Sequence, residues 1–164
     1  MNPKDDEINT DPKLANILVV DDEAANVRLL EKMLAMMGYK NVTCTQDPTQ
    51  ALPLYLKHNS DLILLDLDMP ELDGYGVMDQ LNALKRGLPT PILVLTAQHI
   101  KSYRQRALDN GARDYVTKPF DNDELLSRVR NVLEVQMAHK FMHYQNEILE
   151  QKVQERTQEL HDSR

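Results

Sequence analysis

A single cysteine, Cys44, stands among the 164 residues, which excludes an internal disulfide and every zinc site built from several thiolates. It sits in an alternating Val-Thr-Cys-Thr segment typical of a strand, so a core or half-buried thiol is expected. No apolar run approaches the roughly 18 residues of a membrane span, and the N-terminus, Met-Asn-Pro-Lys-Asp-Asp-Glu, lacks the apolar stretch of a signal peptide. The expected location is therefore the cytoplasm, without membrane contact. An excess of basic residues is missing as well. With 26 acids against 19 bases the net charge is −7, which attracts no phosphate backbone over a broad surface, so this chain is expected to make no nucleic-acid contact. Finally, glycine and proline are absent after Pro119, and with them the residues that usually end helices.

What is present is an ordinary globular composition, 41% hydrophobic and 27% charged, in a chain long enough for one domain and an arm or tail. Residues 1–15 are polar and acidic, with Pro3 and Pro12, and read as a flexible N-terminal arm. Beyond them short aliphatic or β-branched runs at 17–20 (β1), 42–45 (β2), 62–65 (β3), 92–95 (β4) and 115–117 (β5) predict strands. Amphipathic stretches at 24–37 (α1), 48–58 (α2), 75–85 (α3) and 99–110 (α4), with another (α5) after Phe120, predict helices between and after them. Gly38, Gly87 and Gly111 follow helices, and Asp47-Pro48 can open one. The runs in β1, β3 and β4 are nearly continuous Ile, Leu and Val, as interior strands of a parallel sheet require. The fold class is α/β: a (βα)5 doubly wound parallel sheet whose ligands belong at the carboxyl ends of the strands.

The last helical pattern continues through residues 121–160, rich in Glu, Gln, Lys and Leu. Such a helix is about 60 Å long at ~1.5 Å per residue, well beyond a domain of this size. Met137, Phe141, Tyr144 and Ile148 follow a 4-3-4 spacing, and Leu149, Val153, Arg156 and Leu160 continue it one residue out of phase. That broken heptad seam predicts a parallel two-stranded coil and hence a homodimer.

Chemistry is expected where the fold gathers strand ends: Asp21 and Asp22 after β1, Asp66 after β3, Thr96 after β4, Lys118 after β5. Singly each has an ordinary explanation, because Asp21-Asp22 can cap α1, Asp66 a loop, and Lys118 can point to solvent. Together, three carboxylates at one edge repel and raise at least one pKa, so they call for a cation. Oxygen donors suit a hard divalent ion, Mg2+ or Mn2+ in its place, with coordinated waters. Lys118 can pair with a carboxylate or bind a phosphoryl oxygen, and the Thr96 hydroxyl can do the latter from the other side. Asp66, held at the end of a rigid strand, is the candidate nucleophile for in-line attack on phosphorus, giving an aspartyl phosphate.

Four segments carry a resemblance: Ile-Leu-Val-Val-Asp-Asp at 17–22, Leu-Ile-Leu-Leu-Asp-Leu-Asp-Met-Pro-Glu-Leu-Asp-Gly at 62–74, Ile-Leu-Val-Leu-Thr-Ala at 92–97 and Tyr-Val-Thr-Lys-Pro-Phe at 115–120. As a set they resemble the receiver domain of bacterial two-component response regulators, CheY-like, over about residues 15–135. The resemblance implies strand order 2-1-3-4-5, a cis Lys118–Pro119 bond, and phosphorylation of Asp66 by a sensor histidine kinase or phosphotransfer protein. It implies that Asp22, Asp66 and the backbone carbonyl of Asp68 bind Mg2+ directly, and that Asp21 acts through water. Lys118 and Thr96 would contact the phosphoryl group, Thr96 and Tyr115 would form the switch, and Asp68 and Gln98 would tune phosphate lifetime. The α4-β5-α5 face would be a partner surface and a second contribution to a dimer. Leu72 departs from the family, many members of which have methionine there.

The expected division is thus an arm (1–15), a receiver (16–135) and a helical connector (136–164). The connector resembles those leading to HD-GYP cyclic-di-GMP phosphodiesterase output domains. This chain would be a regulatory phospho-acceptor rather than an enzyme, its own phosphorylation and dephosphorylation aside. Two alternatives compete. A phosphatase resembling the haloacid dehalogenase superfamily would use Asp66-Leu67-Asp68 as its Asp-x-Asp motif, although there that motif precedes the other acids and here Asp21-Asp22 comes first. A phosphate-independent dimerisation module would keep the acidic pocket without using it.

Overall fold

The computed structural model describes residues 10–69, 72–84, 87–97 and 101–162. Five parallel strands, β1 (Asn16–Val20), β2 (Asn41–Thr45), β3 (Leu62–Asp66), β4 (Ile92–Thr96) and β5 (Asp114–Thr117), form one sheet in the order β2-β1-β3-β4-β5. The helices are α1 (Ala24–Met36), α2 (Ala51–His58), α3 (Gly74–Asn82), α4 (Lys101–Asp109) and α5 (Asn122–Asp162). This is the doubly wound arrangement expected, with element limits moved by up to three residues; α3 ends at Asn82, so Gly87 does not directly follow it.

Alternation along the interior strands divides the core in two. Ile17, Val19, Leu62, Leu64, Leu93, Leu95 and Val116 pack under α1 and α5, whereas Leu18, Val20, Ile63, Leu65 and Val94 pack under α2, α3 and α4. All of β3 and β4 is buried, which explains their continuous apolar sequences. Gly38 ends α1 at φ +90° and Gly111 follows α4 at φ +103°, in the left-handed region open to glycine. Asn59 takes the same region at φ 50° to close α2. Asp47 accepts a hydrogen bond from the Thr49 N–H at the start of a 3-10 turn leading into α2. Among the described residues, no helix is long and apolar enough to cross a membrane.

Cys44 is half-buried on β2, at the sheet edge. Burial, and next to it the charge of Glu31, pushes its thiol up to about 12. Disulfide-exchange labelling of the native protein at pH 8 is expected to run about a thousandfold slower than for a free cysteine, whose pKa is near 8.5, and to complete on unfolding. Fast labelling without unfolding contradicts that environment.

Three features differ from the sequence reading. The expected arm ends in packed structure: Pro12–Leu14 form a 3-10 turn, Ala15 is buried in the core, and the Lys13 ammonium lies 4.5 Å from the centre of the Tyr39 ring. At the other end packing continues past residue 135. Gln136 and Met137 are buried, the Gln136 amide donates to the Pro89 carbonyl, and Lys140 pairs with the buried carboxylate of Asp61 at 3.1 Å. The third difference is the seam. Met137 belongs to the receiver core, and Tyr144 lines a crevice with Asp61, Thr90 and Lys140, so the face carrying both is turned toward the globule. One α5 helix serves as domain wall and as projecting arm, and sequence spacing does not separate the two uses.

Candidate functional site

The chain leaves β1 for β2 on one side and later places β3 on the other, so the loops after β1 and β3 diverge and open a crevice at their carboxyl ends. Asp21 and Asp22 follow β1 there, and Asp66 closes β3. One carboxylate oxygen from each lies within 4.8 Å of the others. Asp21 and Asp66 are buried and Asp22 is exposed, which leaves the cluster open to solvent on one side.

Lys118 enters from β5, its ammonium 3.2 Å from Asp21 Oδ2 and 3.2 Å from Asp66 Oδ1. Its backbone is tied to the neighbouring strand, the Lys118 N–H donating to the Thr96 carbonyl at 2.8 Å, and the Lys118–Pro119 bond is cis. Asp21 Oδ1 accepts the Glu23 N–H, and Asp66 Oδ1 accepts the Asp68 N–H at 3.1 Å. The first pair of acids therefore shapes the turn before α1 without capping the helix: the N-cap is Glu23, whose side chain makes no cap hydrogen bond.

The electrostatics follow. Burial, opposed by the Asp68 N–H and reinforced by the Asp21 charge, raises the Asp66 carboxyl to about 7 even with Lys118 alongside. The sequence reading anticipated a raised carboxyl from mutual repulsion, whereas burial is the larger cause. Burial draws the Lys118 ammonium down, but Asp66 and then Asp21 outweigh it and its pKa stands above the usual 10.5. One ammonium facing three carboxyls leaves an excess of negative charge and free oxygen lone pairs, a donor set that fits a hard divalent cation with room for water.

Thr96 ends β4, buried, beside β5 at the register position of Thr117. Tyr115 is half-buried on β5 and packs into the core under α4, with the Arg104 guanidinium 5.3 Å from its ring centre. Asp68 is exposed. Gln98 lies outside the described residues. The pocket thus unites Asp21, Asp22, Asp66 and Lys118. Thr96 reaches it through its backbone link to Lys118, and Tyr115 stands apart on β5.

Gly74 was missed by sequence reasoning. A Cβ there would lie 2.6 Å from the Asp66 carbonyl oxygen and 2.8 Å from Leu67 Cα, so only glycine lets α3 begin against the acceptor strand. Its signal was a glycine at a helix start, directly after the N-cap Asp73, whose side chain accepts the Gly76 N–H.

A doubly wound α/β domain with an acid and lysine pocket at its switch point is the class that fold and site define. Residues 17–130 match the response regulator receiver domain family, and the chain belongs to it: this is the receiver of a two-component response regulator. It is 44% identical over 117 residues to the protein named "Probable transcriptional regulator ycf27" of Porphyridium aerugineum, an alignment covering 71% of this chain and 47% of that one. Identity to response regulator MprA of Mycobacterium sp. strain KMS is 45% over the same length, covering 71% and 50%. The chain thus spans about half the length of the curated relatives it matches. Among solved structures, the receiver domain of a Pseudomonas aeruginosa sensor histidine kinase, with a magnesium ion in its active-site cleft, superposes with TM-score 0.66 at 34% identity over 73% of this chain and 98% of that one.

Proposed function

We propose that this receiver takes a phosphoryl group onto Asp66 from a sensor histidine kinase or phosphotransfer protein in the cytoplasm, and that the modification regulates an output domain through α5. The observation that carries the reading is the ion-paired triad of Asp21, Asp66 and Lys118 at the switch point. An Asp66 oxygen forms the new bond to phosphorus while the donor's bond to phosphorus breaks and its electron pair leaves with the donor. Asp22, Asp66 and the Asp68 carbonyl would hold Mg2+, or Mn2+ in its place, with Asp21 acting through water. The ion supplies positive charge against the phosphoryl oxygens. Lys118 offsets the same charge from the other side and is already oriented by its two carboxylates. Thr96 contacts the phosphoryl group from β4, and Asp68 and Gln98 set its lifetime by what they admit to the pocket.

Movement of Thr96 toward the phosphoryl group and of Tyr115 behind it would alter the α4-β5-α5 face, where Arg128 of α5 pairs with Asp114 of β5. The projecting part of α5 would join two copies and lead to the output, for which a cyclic-di-GMP phosphodiesterase is our reading of the connector. The relatives' names speak of transcription, but they describe proteins of which this chain matches about half. The family match gives the haloacid dehalogenase alternative no support.

Incubation with acetyl phosphate is expected to add about 80 Da, one phosphoryl group, in intact-mass spectra with Mg2+, and nothing with chelator. Absence of the adduct in Mg2+ overturns the reading in favour of a phosphate-independent module. Continuous turnover of small phosphomonoesters would favour a phosphatase.

A further inference from the structure

From Val135 onward α5 carries six exposed large hydrophobic residues: Val135, Phe141, Met142, Leu149, Val153 and Leu160. All but Phe141 fall on one register, Val135–His139–Met142–Asn146–Leu149–Val153–Arg156–Leu160. Its spacing alternates four and three without a break, and every member is exposed. Its C-terminal half, Leu149, Val153, Arg156 and Leu160, is the second stretch of the seam read from the sequence; the first stretch is replaced, because Met137 lies in the receiver core and Tyr144 lines the crevice beside it.

A strict seven-residue repeat drifts about 20° per heptad around a straight helix, so it keeps facing one neighbour only when two helices supercoil. A solvated helix or a helix lying on a globular surface has no use for it. We infer that this seam is covered by the same seam of a second copy, parallel and in register, with Asn146 paired to its own counterpart. The inference rests on the dimer proposed above and names the residues that make it.

Two observations select the occupant and its direction. The a positions are His139, Asn146, Val153 and Leu160 and the d positions Val135, Met142, Leu149 and Arg156, so the central apolar layers are Leu149 at d and Val153 at a. β-Branched a and leucine d residues favour two parallel strands, and one buried asparagine at a specifies register at a cost in stability. The flanking charges agree. In the antiparallel alignment that keeps Leu149 against Val153, Lys152 faces its own copy and so does Glu150. In the parallel pair Lys152 faces Thr157, and Gln145 faces Glu150, so no like charges meet. Arg156 at a d position weakens the seam and makes the association concentration-dependent.

Sedimentation of the full chain tests this. The natural protein is expected to dimerise reversibly. Leu149→Glu and Val153→Glu should each weaken association by about 100-fold, since each buries two unpaired carboxylates, while Ile148→Glu, next to the seam but off it, should leave it unchanged. All substituted positions are on the projecting helix, and circular dichroism checks that the receiver stays folded. In a Cys44→Ser background, Leu149→Cys should form an intermolecular disulfide on mild oxidation, which only the parallel in-register pair allows. A monomer at every concentration overturns the dimer and the seam together. A dimer broken by Ile148→Glu and indifferent to Leu149→Glu overturns the seam alone, and a dimer that yields no disulfide overturns the parallel register.

Discussion

Asp66→Asn is expected to take up no phosphoryl group from acetyl phosphate and, in the metal-free protein, to be more stable than the natural chain at pH 8. The first effect follows because the amide oxygen carries no charge with which to attack phosphorus. The second follows from the sign of the pKa shift. The folded protein holds the Asp66 proton up to about pH 7, whereas the ordinary carboxyl releases it near 3.8. Between those values the folded state binds more protons at Asp66 than the unfolded one, so this group's contribution to stability is fully present below about pH 4, falls as the pH rises to about 7, and levels off above. At ~1.4 kcal/mol per pH unit the loss is on the order of 4 kcal/mol. Asparagine avoids it, and since the attraction of Lys118 is already contained in the raised value, the variant is expected to be the more stable of the two at pH 8. Urea unfolding in chelator at pH 4.5 and pH 8 measures the difference. A variant less stable than the natural protein at pH 8 would falsify the view that a buried carboxylate is held there against its own desolvation.

Gly74→Ala is expected to damage both folding and chemistry. The new methyl would meet backbone atoms of Asp66 and Leu67 at 2.6 and 2.8 Å, so no side-chain rotation relieves the clash and either α3 or the end of β3 must shift. Overpacking of this kind costs about 3 kcal/mol, or roughly 10 °C in Tm for a domain of this size. Because the displaced atoms carry the Asp66 carboxyl, adduct formation should fall at least about tenfold even below the melting range. Gly76→Ala is the comparison: its methyl would crowd the Leu72 side chain, which can turn aside, and touch Asp73 Oδ1 at an ordinary 3.6 Å, and alanine favours the helix. Thermal melts and initial rates of adduct formation on both variants decide the matter, and equal behaviour of the two would refute the role assigned to Gly74.

Much of this was legible beforehand because it depends on short-range rules. The continuous aliphatic runs of β1, β3 and β4 announce buried parallel strands, and Gly38 and Gly111 mark the ends of α1 and α4. Once an alternating (βα)5 order is granted, Asp21, Asp22, Asp66 and Lys118 have to meet, since parallel strands bring their carboxyl ends to one edge. Burial as the main cause of the raised Asp66 carboxyl was not legible. It depends on the helices covering both faces of β3, and no residue near Asp66 in sequence carries that information. Nor was the close approach of Gly74 to the Asp66 carbonyl, a distance between two elements rather than a property of either.

The C-terminal helix draws the line most clearly. Its existence and length follow from the absence of glycine and proline after Pro119 and from helix propensity summed over many residues. Its division into a buried wall and a free seam does not, because Met137 and Met142 are equally apolar and both fit a helical repeat. Docking against α1 and the sheet buries Met137, and Lys140 meets Asp61, a partner 79 residues away, which turns Val135, Met142 and Leu149 outward. Local sequence sets which residues can form a helix and where charge gathers at strand ends. Which face of that helix stays free is decided by contacts between distant segments, and those exist only once the chain has folded.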